Sequence, residues 1–366
     1  MNPTHLNELS DHLLALKAQK HSFALVKLPL SDAILFFTEK QLSWQNLQNY
    51  FEDGFIVAPF LFGISTNNTL FFSTKNKIEI DFSAITSNLE TVNQTSDFQS
   101  PDLDTGKVQY KALVANAVEH IKLGKALKVV TSRIKKINKP TTFNPLESYL
   151  DLCKKFPKTM VAWVYASEVN LEWMGASPES LLSLNNSVAT SMSLAGTRSV
   201  AAQSSWGEKE LAEQSIVTDY LKSIYQKYCS EVTASQTETL PAGIIEHLLT
   251  RVSGKINSPS QLLPLLLDLH PTPAVGAMPK TEIDFITQNE AHDRKLYAGF
   301  WGLVGPDSCN LFVNLRCFEI TESELIFYAG GGITGSSDPE AEWIETERKI
   351  ANTQAVVLPN SNQVTE

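Results

Sequence analysis

Residues 22–87 set four apolar runs, FALVKL, AILFFTE, FIVAPFLFGI and TLFFST, one after another with polar turns between them. Such runs read as strands, and consecutive strands joined by turns pair antiparallel. Beyond them, helices are predicted over 4–19, 107–124, 145–156, 206–232, 243–252, 259–267 and 338–353. Strands are predicted over KALKVVTSRIKKI, 159–166, 170–175, 180–184, 187–194, 297–304, 310–319 and 324–330. Blocks of strands mixed with blocks of helices, without regular βαβ alternation, predict an α+β fold. Its large antiparallel sheets would be flanked by helices. The polar segment 88–104 is the one convincing linker.

Charge narrows the function. The 366 residues include 40 acidic and 30 basic side chains, a formal net charge of -10. That excess argues against a general binder of nucleic acid or of an anionic membrane surface. An acidic chain that holds an anionic ligand needs a few placed cations or a metal ion. The four cysteines form no C-x-x-C pair, which excludes a zinc ribbon and fits a reducing cytoplasm. Polar residues run through the N-terminal apolar stretch, so it does not read as a signal peptide. The most apolar run, Leu262 to Leu269, is broken by Pro264 and Asp268 and is too short to span a bilayer.

Two predicted helices carry paired carboxylates. In WGEKELAEQSIVTDYL, Glu210 and Glu213 are three residues apart and share a face. In SDPEAEWIETERKI, Glu342 and Glu345 repeat the spacing, with Lys349 four residues beyond Glu345. Charged residues at these spacings ordinarily form solvated faces. If the helices converge instead, the same carboxylates, partly screened by water, make a hard-oxygen site for Mg²⁺. Spacing alone leaves both readings open.

FYAGGGITGSSDPE sets Gly330, Gly332 and Gly335 in a G-x-G-x-x-G frame, after a strand and before a helix. Only 31 residues follow Gly335, with no clear second strand of a βαβ unit, which argues against a dinucleotide fold. Glycines there would let backbone N–H groups approach an anion at a helix N-terminus.

Seven segments, in order, resemble the motif set of the chorismate-utilising enzymes. They are GASPESLL, SLAGTRS, WGEKELAEQSIVTDYL, LHPTPAVGAMP, YAGFWGLV, VNLRCFEI and YAGGGITGSSDPEAEWIETERK, and the likeness spans about residues 107–353. The family includes isochorismate, salicylate, anthranilate and aminodeoxychorismate synthases. The resemblance implies a single large α+β domain whose cleft holds chorismate and Mg²⁺. Residues 1–104 would be a variable N-terminal part of that domain, 105–356 the chorismate-binding core and 357–366 a polar tail.

The family's roles carry over position by position. Glu213 and Glu345 match the metal carboxylates, with Glu210 and Glu342 as neighbours acting through water. Tyr297 and Arg316 match the positions that hold the enolpyruvyl carboxylate. Gly196, Thr197, Gly330, Gly332 and Lys349 line the site near the ring carboxylate, and His270 lies in the pocket. Lys128 matches the general base and Glu179 the general acid. Each has a plainer reading from the residues alone. Lys128 could be a surface lysine on an edge strand, and Glu179 a turn carboxylate after Pro178. His270 could be a structural histidine and Tyr297 a core residue with a bonded hydroxyl. Arg316, in the apolar run LFVNLRCFEI, needs an anionic partner on either reading.

Amine-forming members of the family use ammonia from a glutamine amidotransferase and typically carry a residue other than lysine at the base position, where this chain has Lys128. One group of aminodeoxychorismate synthases places a lysine in P-I-K-G-T, where this chain has Ala195. Both departures imply water as the nucleophile and no amidotransferase partner, while the resemblance as a whole implies Mg²⁺ as cofactor and, on overall motif character, isochorismate as the product. The alternative is a salicylate synthase, which makes the same intermediate and then eliminates pyruvate. The resemblance also implies a monomeric cytoplasmic enzyme of menaquinone or siderophore synthesis, with no nucleic-acid or membrane partner.

Overall fold

The computed structural model describes residues 5–47, 52–86, 104–199, 205–242 and 245–358. The expected linker, apart from Asp104, and nearly all of the polar tail lie outside the described residues. Two large sheets dominate. The first runs in the order β15 (Ala277–Met278), β7 (Lys128–Asn138), β19 (Glu324–Ile333), β18 (Cys317–Ile320), β9 (Leu171–Ser177), β8 (Met160–Ala166), β1 (Ser22–Lys27), β2 (Ala33–Glu39) and β6 (Ile78–Asp81). The second runs β12 (Ser230–Ala234), β14 (Ile245–Lys255), β11 (Val188–Ser199), β10 (Ser180–Asn185), β17 (Ser308–Val313), β16 (Phe300–Gly305), β4 (Gly54–Ala58), β5 (Asn68–Ser73) and β3 (Gln45–Asn46), with β13 (Glu238–Ala242) also paired to β14. The pairings between these strands are antiparallel, as the short turns of the N-terminal third require.

The strand sequences explain the layering. All six residues of β1 are buried, because Phe23 and Leu25 point into one apolar cluster while Ala24 and Val26 point into another. β8 divides the same way, with Val161 and Trp163 on one side and Met160, Ala162 and Val164 on the other. The first sheet is therefore apolar on both faces. One face meets the interior cluster, which includes residues of the second sheet. The other is covered by α1 (Leu6–Ala18), α4 (Pro145–Lys155) and α8 (Pro339–Val357). Among the remaining helices, α2 (Phe82–Thr86) follows β6, and α3 (Asp104–Lys122) packs on α8 and β7. α5 (Glu208–Tyr228) packs on β11, β14 and α6 (Leu262–Leu269), while α7 (Ile283–Asn289) reaches β7. None of the described helices is long and apolar enough to cross a membrane.

Two chain segments pass from one sheet to the other side by side. β9 leads to β10 through Pro178 and Glu179, and β17 leads to β18 through Asn314 to Arg316. The crossings are bonded together, Val313 N to Glu179 O at 2.9 Å and Ala176 N to Arg316 O at 3.2 Å. Arg316 bends the chain there with φ +48°. Strands that switch sheets make the corner of a sandwich at such bends.

This corner corrects one expectation. The run 310–319 is not one strand but two, in different sheets, so Arg316 sits at a bend rather than inside a strand. The apolar pattern is continuous because each half is buried in its own sheet. Tyr297 likewise precedes its strand, which starts at Phe300. The predicted helix 243–252 is instead strand β14, held between β11 and β12–β13. The long helix ends at Tyr228, and its expected last residues begin β12.

Candidate active site

Lys128 is the first residue of β7 and its side chain is 2% exposed. It is not a surface lysine on an edge strand, since β15 covers it on one side and β19 lies on the other. Its Nζ lies 3.9 Å from Glu213 Oε2. Burial drives the lysine pKa below its ordinary value, although Glu213 and Glu179 pull it upward. The close passage of the side chain depends on Gly332 of β19, where a Cβ would stand 2.7 Å from Lys128 Cε.

Glu179 enters from the sheet-to-sheet corner, 3% exposed. Desolvation pushes its carboxyl up to about 8, and the charge of Lys128 opposes that rise. The buried pair thus holds a lysine biased toward the neutral amine and a glutamate biased toward the protonated acid.

The two carboxylate helices do reach the same strand. Glu213 on α5 approaches Gly332, whose added Cβ would lie 3.4 Å from its Oε2. Glu342 on α8 approaches Gly331, whose Cβ would lie 2.6 Å from its Oε2. The rotation of α5 is fixed by the neighbouring Gln214, which accepts from Ala195 N and donates to Ser193 O and Thr250 Oγ1, each at 3.0 Å. Thr218 adds a bond to Ser193 Oγ at 2.9 Å. α8 is fixed by Arg133 of β7, which donates to Thr346 at 2.8 Å, pairs with Glu347 and lies 3.9 Å over the Trp343 ring.

Glu345 and Glu210 are engaged differently. Glu345 pairs with Lys349 at 2.7 Å, the i,i+4 contact expected from sequence. Lys349 also donates to Gly330 O at 2.9 Å. Glu210 turns toward its own helix start, with Oε2 at 2.5 Å from where a Gly207 Cβ would stand. Among the described residues, no three such side chains stand together closely enough to hold a metal ion as placed. The donor chemistry still suits Mg²⁺, because one carboxylate from each helix, Glu213 and Glu342, borders a strand whose glycines leave the room, and each has a second carboxylate three residues away on its own helix.

The residues expected to hold an anionic ligand are placed as follows. Arg316 is partly buried, with Phe156 5.1 Å beneath its guanidinium, and desolvation lowers its pKa to about 10. Among the described residues no ion pair is seen for it. Tyr297 is buried and stacks on Tyr328 at 5.7 Å, and its hydroxyl lies 2.8 Å from where a Gly330 Cβ would stand. Gly196 occupies a bulge of β11 with φ +64°, packed against Glu210. Thr197 follows it in β11, and its side chain lies outside the described residues.

Two expectations shift. The helix after the glycines does not present an open N-terminus to a ligand, because the Asp338 side chain accepts from Ala341 N there. Gly330 and Gly332 act from within β19 itself. His270 is fully buried after α6, with Nε2 3.1 Å from Phe60 O and its ring edge-on to Phe300. Burial drives its pKa to about 3, and no described contact joins it to Lys128, Glu179 or the glutamates.

His247 was missed by sequence reasoning. It lies on β14 opposite Thr197. Burial first, then the charges of Lys349 and Arg316, lower its pKa to about 4, while a bond with the Gly196 backbone and the charge of Glu345 oppose this. The ring is a neutral imidazole among the site's charged groups. Reading 243–252 as a helix hid it; the β-branched Ile245, Thr250 and Val252 were the signal for a strand.

Residues 37–357 match the family described as "Chorismate binding enzyme". Isochorismate synthase EntC of Escherichia coli K12 is 31% identical over 191 residues, 49% of this chain and 49% of that protein. The match thus spans about half the length of that curated relative. Isochorismate synthase MenF of Pasteurella multocida is 26% identical over 359 residues, 90% of this chain and 82% of that protein. The solved menaquinone-specific isochorismate synthase MenF of Escherichia coli superimposes with a TM-score of 0.73 at 19% identity, covering 92% of this chain and 88% of that one. That likeness bears on the fold, and it agrees with the expected α+β architecture.

Proposed function

The chain belongs to the chorismate-binding enzyme family, and we propose that within it the protein is an isochorismate synthase. The observation that carries this is the buried pair of Lys128 and Glu179, whose environments push their pKa values toward each other from opposite sides. A neutral lysine can take a proton from water, and a protonated glutamate can give one to a leaving hydroxyl. The synthases named among its relatives support the same reading.

Lys128 Nζ removes a proton from a water molecule, whose oxygen forms a bond to C2 of chorismate. The ring double bonds shift, the C4–O bond breaks, and Glu179 delivers its proton to the departing hydroxyl. One water enters and one leaves, so the product is an isomer, isochorismate. The reverse reaction uses the same two groups with their roles exchanged. Arg316 and Tyr297 orient the enolpyruvyl carboxylate, and Lys349 with the Gly330–Gly332 segment borders the ring carboxylate. Glu213 and Glu345 would hold Mg²⁺, with Glu210 and Glu342 reaching it through water. When bound there, the ion supplies positive charge to the ring carboxylate and draws electron density from the ring. Desolvation by the two sheets keeps the acid–base pair in its reactive protonation states. His270 is left with a packing role.

We assign the enzyme to the cytoplasm as a monomer without an amidotransferase partner, supplying isochorismate to menaquinone or siderophore synthesis. A salicylate synthase would share the acid–base pair. The test is substitution of each member: Lys128→Ala and Glu179→Gln should each lower kcat by about 10² to 10⁴ with the melting transition retained. Full activity in either variant would refute the assigned pair.

A further inference from the structure

Glu290 and Arg294 form an ion pair, with both side chains only 2% exposed, that the chemistry above does not use. Its place explains its presence. β7 is paired along its length with β19, but on its other edge β15 reaches only Lys128 and Val129. Val130 N still finds Gly276 O at 2.8 Å, and then the neighbouring chain turns away. The next two backbone groups on that edge go to side chains. Arg294 Nη2 donates to Val130 O at 2.6 Å, and Glu290 Oε1 accepts from Ser132 N at 2.6 Å and from Ser132 Oγ at 2.9 Å.

The pair is closed within itself by Arg294 Nε to Glu290 Oε2 at 2.8 Å and Nη2 to Oε1 at 2.6 Å. Arg294 Nη1 reaches Val275 O at 2.7 Å, and the guanidinium lies 4.3 Å over the Phe60 ring. Buried backbone donors and acceptors must be satisfied, and a forked guanidinium–carboxylate pair does here what a strand would do. The same pair touches two parts of the site. The carbonyl of Arg294 accepts from Tyr297 N at 2.7 Å, which ties the loop carrying Tyr297 to this edge. Ser132 pairs with Gly330, beside which the Tyr297 hydroxyl lies, and Lys128 is two residues before Val130.

We propose that Glu290 and Arg294 are positioning residues that complete the β7 edge and thereby hold Lys128 and Tyr297 in register across the chorismate site. This rests on the reading of that site given above. The test compares Arg294→Lys, Glu290→Gln and Lys128→Ala in the full chain, with chorismate and Mg²⁺. Lysine keeps the charge but lacks the fork that serves Glu290, Val130 and Val275 together. Glutamine keeps an acceptor for Ser132.

In Arg294→Lys, kcat per folded molecule falls on the order of tenfold to a hundredfold, KM for chorismate rises, and deuterium uptake by the peptide containing Ser132 increases. Glu290→Gln changes in the same directions by less, and it decides the matter if Arg294→Lys does not fold. A merely structural role would reduce the amount of folded protein and leave KM and kcat per folded molecule at wild-type values. Wild-type values in the pair variants, with Lys128→Ala inactive, overturn the positioning role and leave the site reading standing. Wild-type turnover by Lys128→Ala overturns the site reading and with it the role given to the pair.

Discussion

Lys128 Nζ and Glu213 Oε2 stand 3.9 Å apart, with the lysine almost fully buried and the glutamate nearly so. Burial outweighs the attraction, so the lysine is displaced toward its neutral form. Glu213 thus touches the proposed base and is also one of the carboxylates proposed to hold Mg²⁺. Glu213→Gln and Glu345→Gln should each weaken Mg²⁺ binding by tenfold or more, on the order expected for losing a charged oxygen ligand, when measured by calorimetry. Chelation should stop turnover and added Mg²⁺ restore it. Undiminished Mg²⁺ affinity in both variants would remove these residues from the donor set.

Gly332 and Lys128 provide a steric test. Alanine at 332 would set a Cβ 2.7 Å from Lys128 Cε and 3.1 Å from its Nζ. Gly332→Ala should displace the amine and lower kcat by about 10², while β19 keeps its pairing with β7 and the fold remains. An unchanged kcat would mean that Lys128 has slack the proposed mechanism does not allow.

The raised pKa of Glu179 has a definite sign in stability. The unfolded carboxyl titrates near 4.5 and the folded one near 8. Between these values the folded state holds a proton that the unfolded state has released. Stability from this group is therefore lost progressively as pH rises from 4.5 to about 8, and is level above that. Lys128, displaced downward, contributes with the opposite slope over its own range. Glu179→Gln removes the first effect. By deleting a charge that pulls the Lys128 pKa upward it also moves the lysine further toward neutral, which tilts the comparison in the same direction. Its melting temperature relative to wild type should climb from pH 5 to pH 8, by an amount on the order of a few kcal/mol in stability. A difference that stays flat over this range would show that Glu179 titrates normally.

Arg316 is partly buried, its pKa is pushed down to about 10 by desolvation, and no ion pair is seen for it among the described residues. A partly buried cation without an anionic partner has lost hydration that nothing in the fold returns, and the substrate carboxylate is the partner proposed for it. Arg316→Met should leave the melting temperature unchanged or raise it, while KM for chorismate rises by about tenfold or more. Loss of stability with unchanged KM would assign the guanidinium to the fold instead.

Much of this site could be read from local patterns. Glu210 with Glu213, and Glu342 with Glu345, announced their shared faces by spacing, and both helices form close to where they were expected. What local pattern could not supply was the meeting of remote segments. Glu342 faces Gly331 because Arg133, more than two hundred positions away in the chain, anchors α8 on β7. The bend at Arg316 was invisible because apolar residues continue through it, each half buried in a different sheet. His247 was lost to a wrong period, since its stretch is apolar enough to fit a helix. Glu290 and Arg294 lie in the polar stretch QNEAHDRK, and nothing local shows that β7 lacks a neighbour there.

The central claim is that this chain converts chorismate to isochorismate and stops. The most direct measurement incubates the purified protein with chorismate and Mg²⁺ and follows the products by chromatography and salicylate fluorescence. Isochorismate should accumulate to an equilibrium with chorismate, reached equally from isochorismate as the starting compound, and salicylate should be absent. Salicylate and pyruvate as the final products, or chorismate recovered unchanged, would contradict the account.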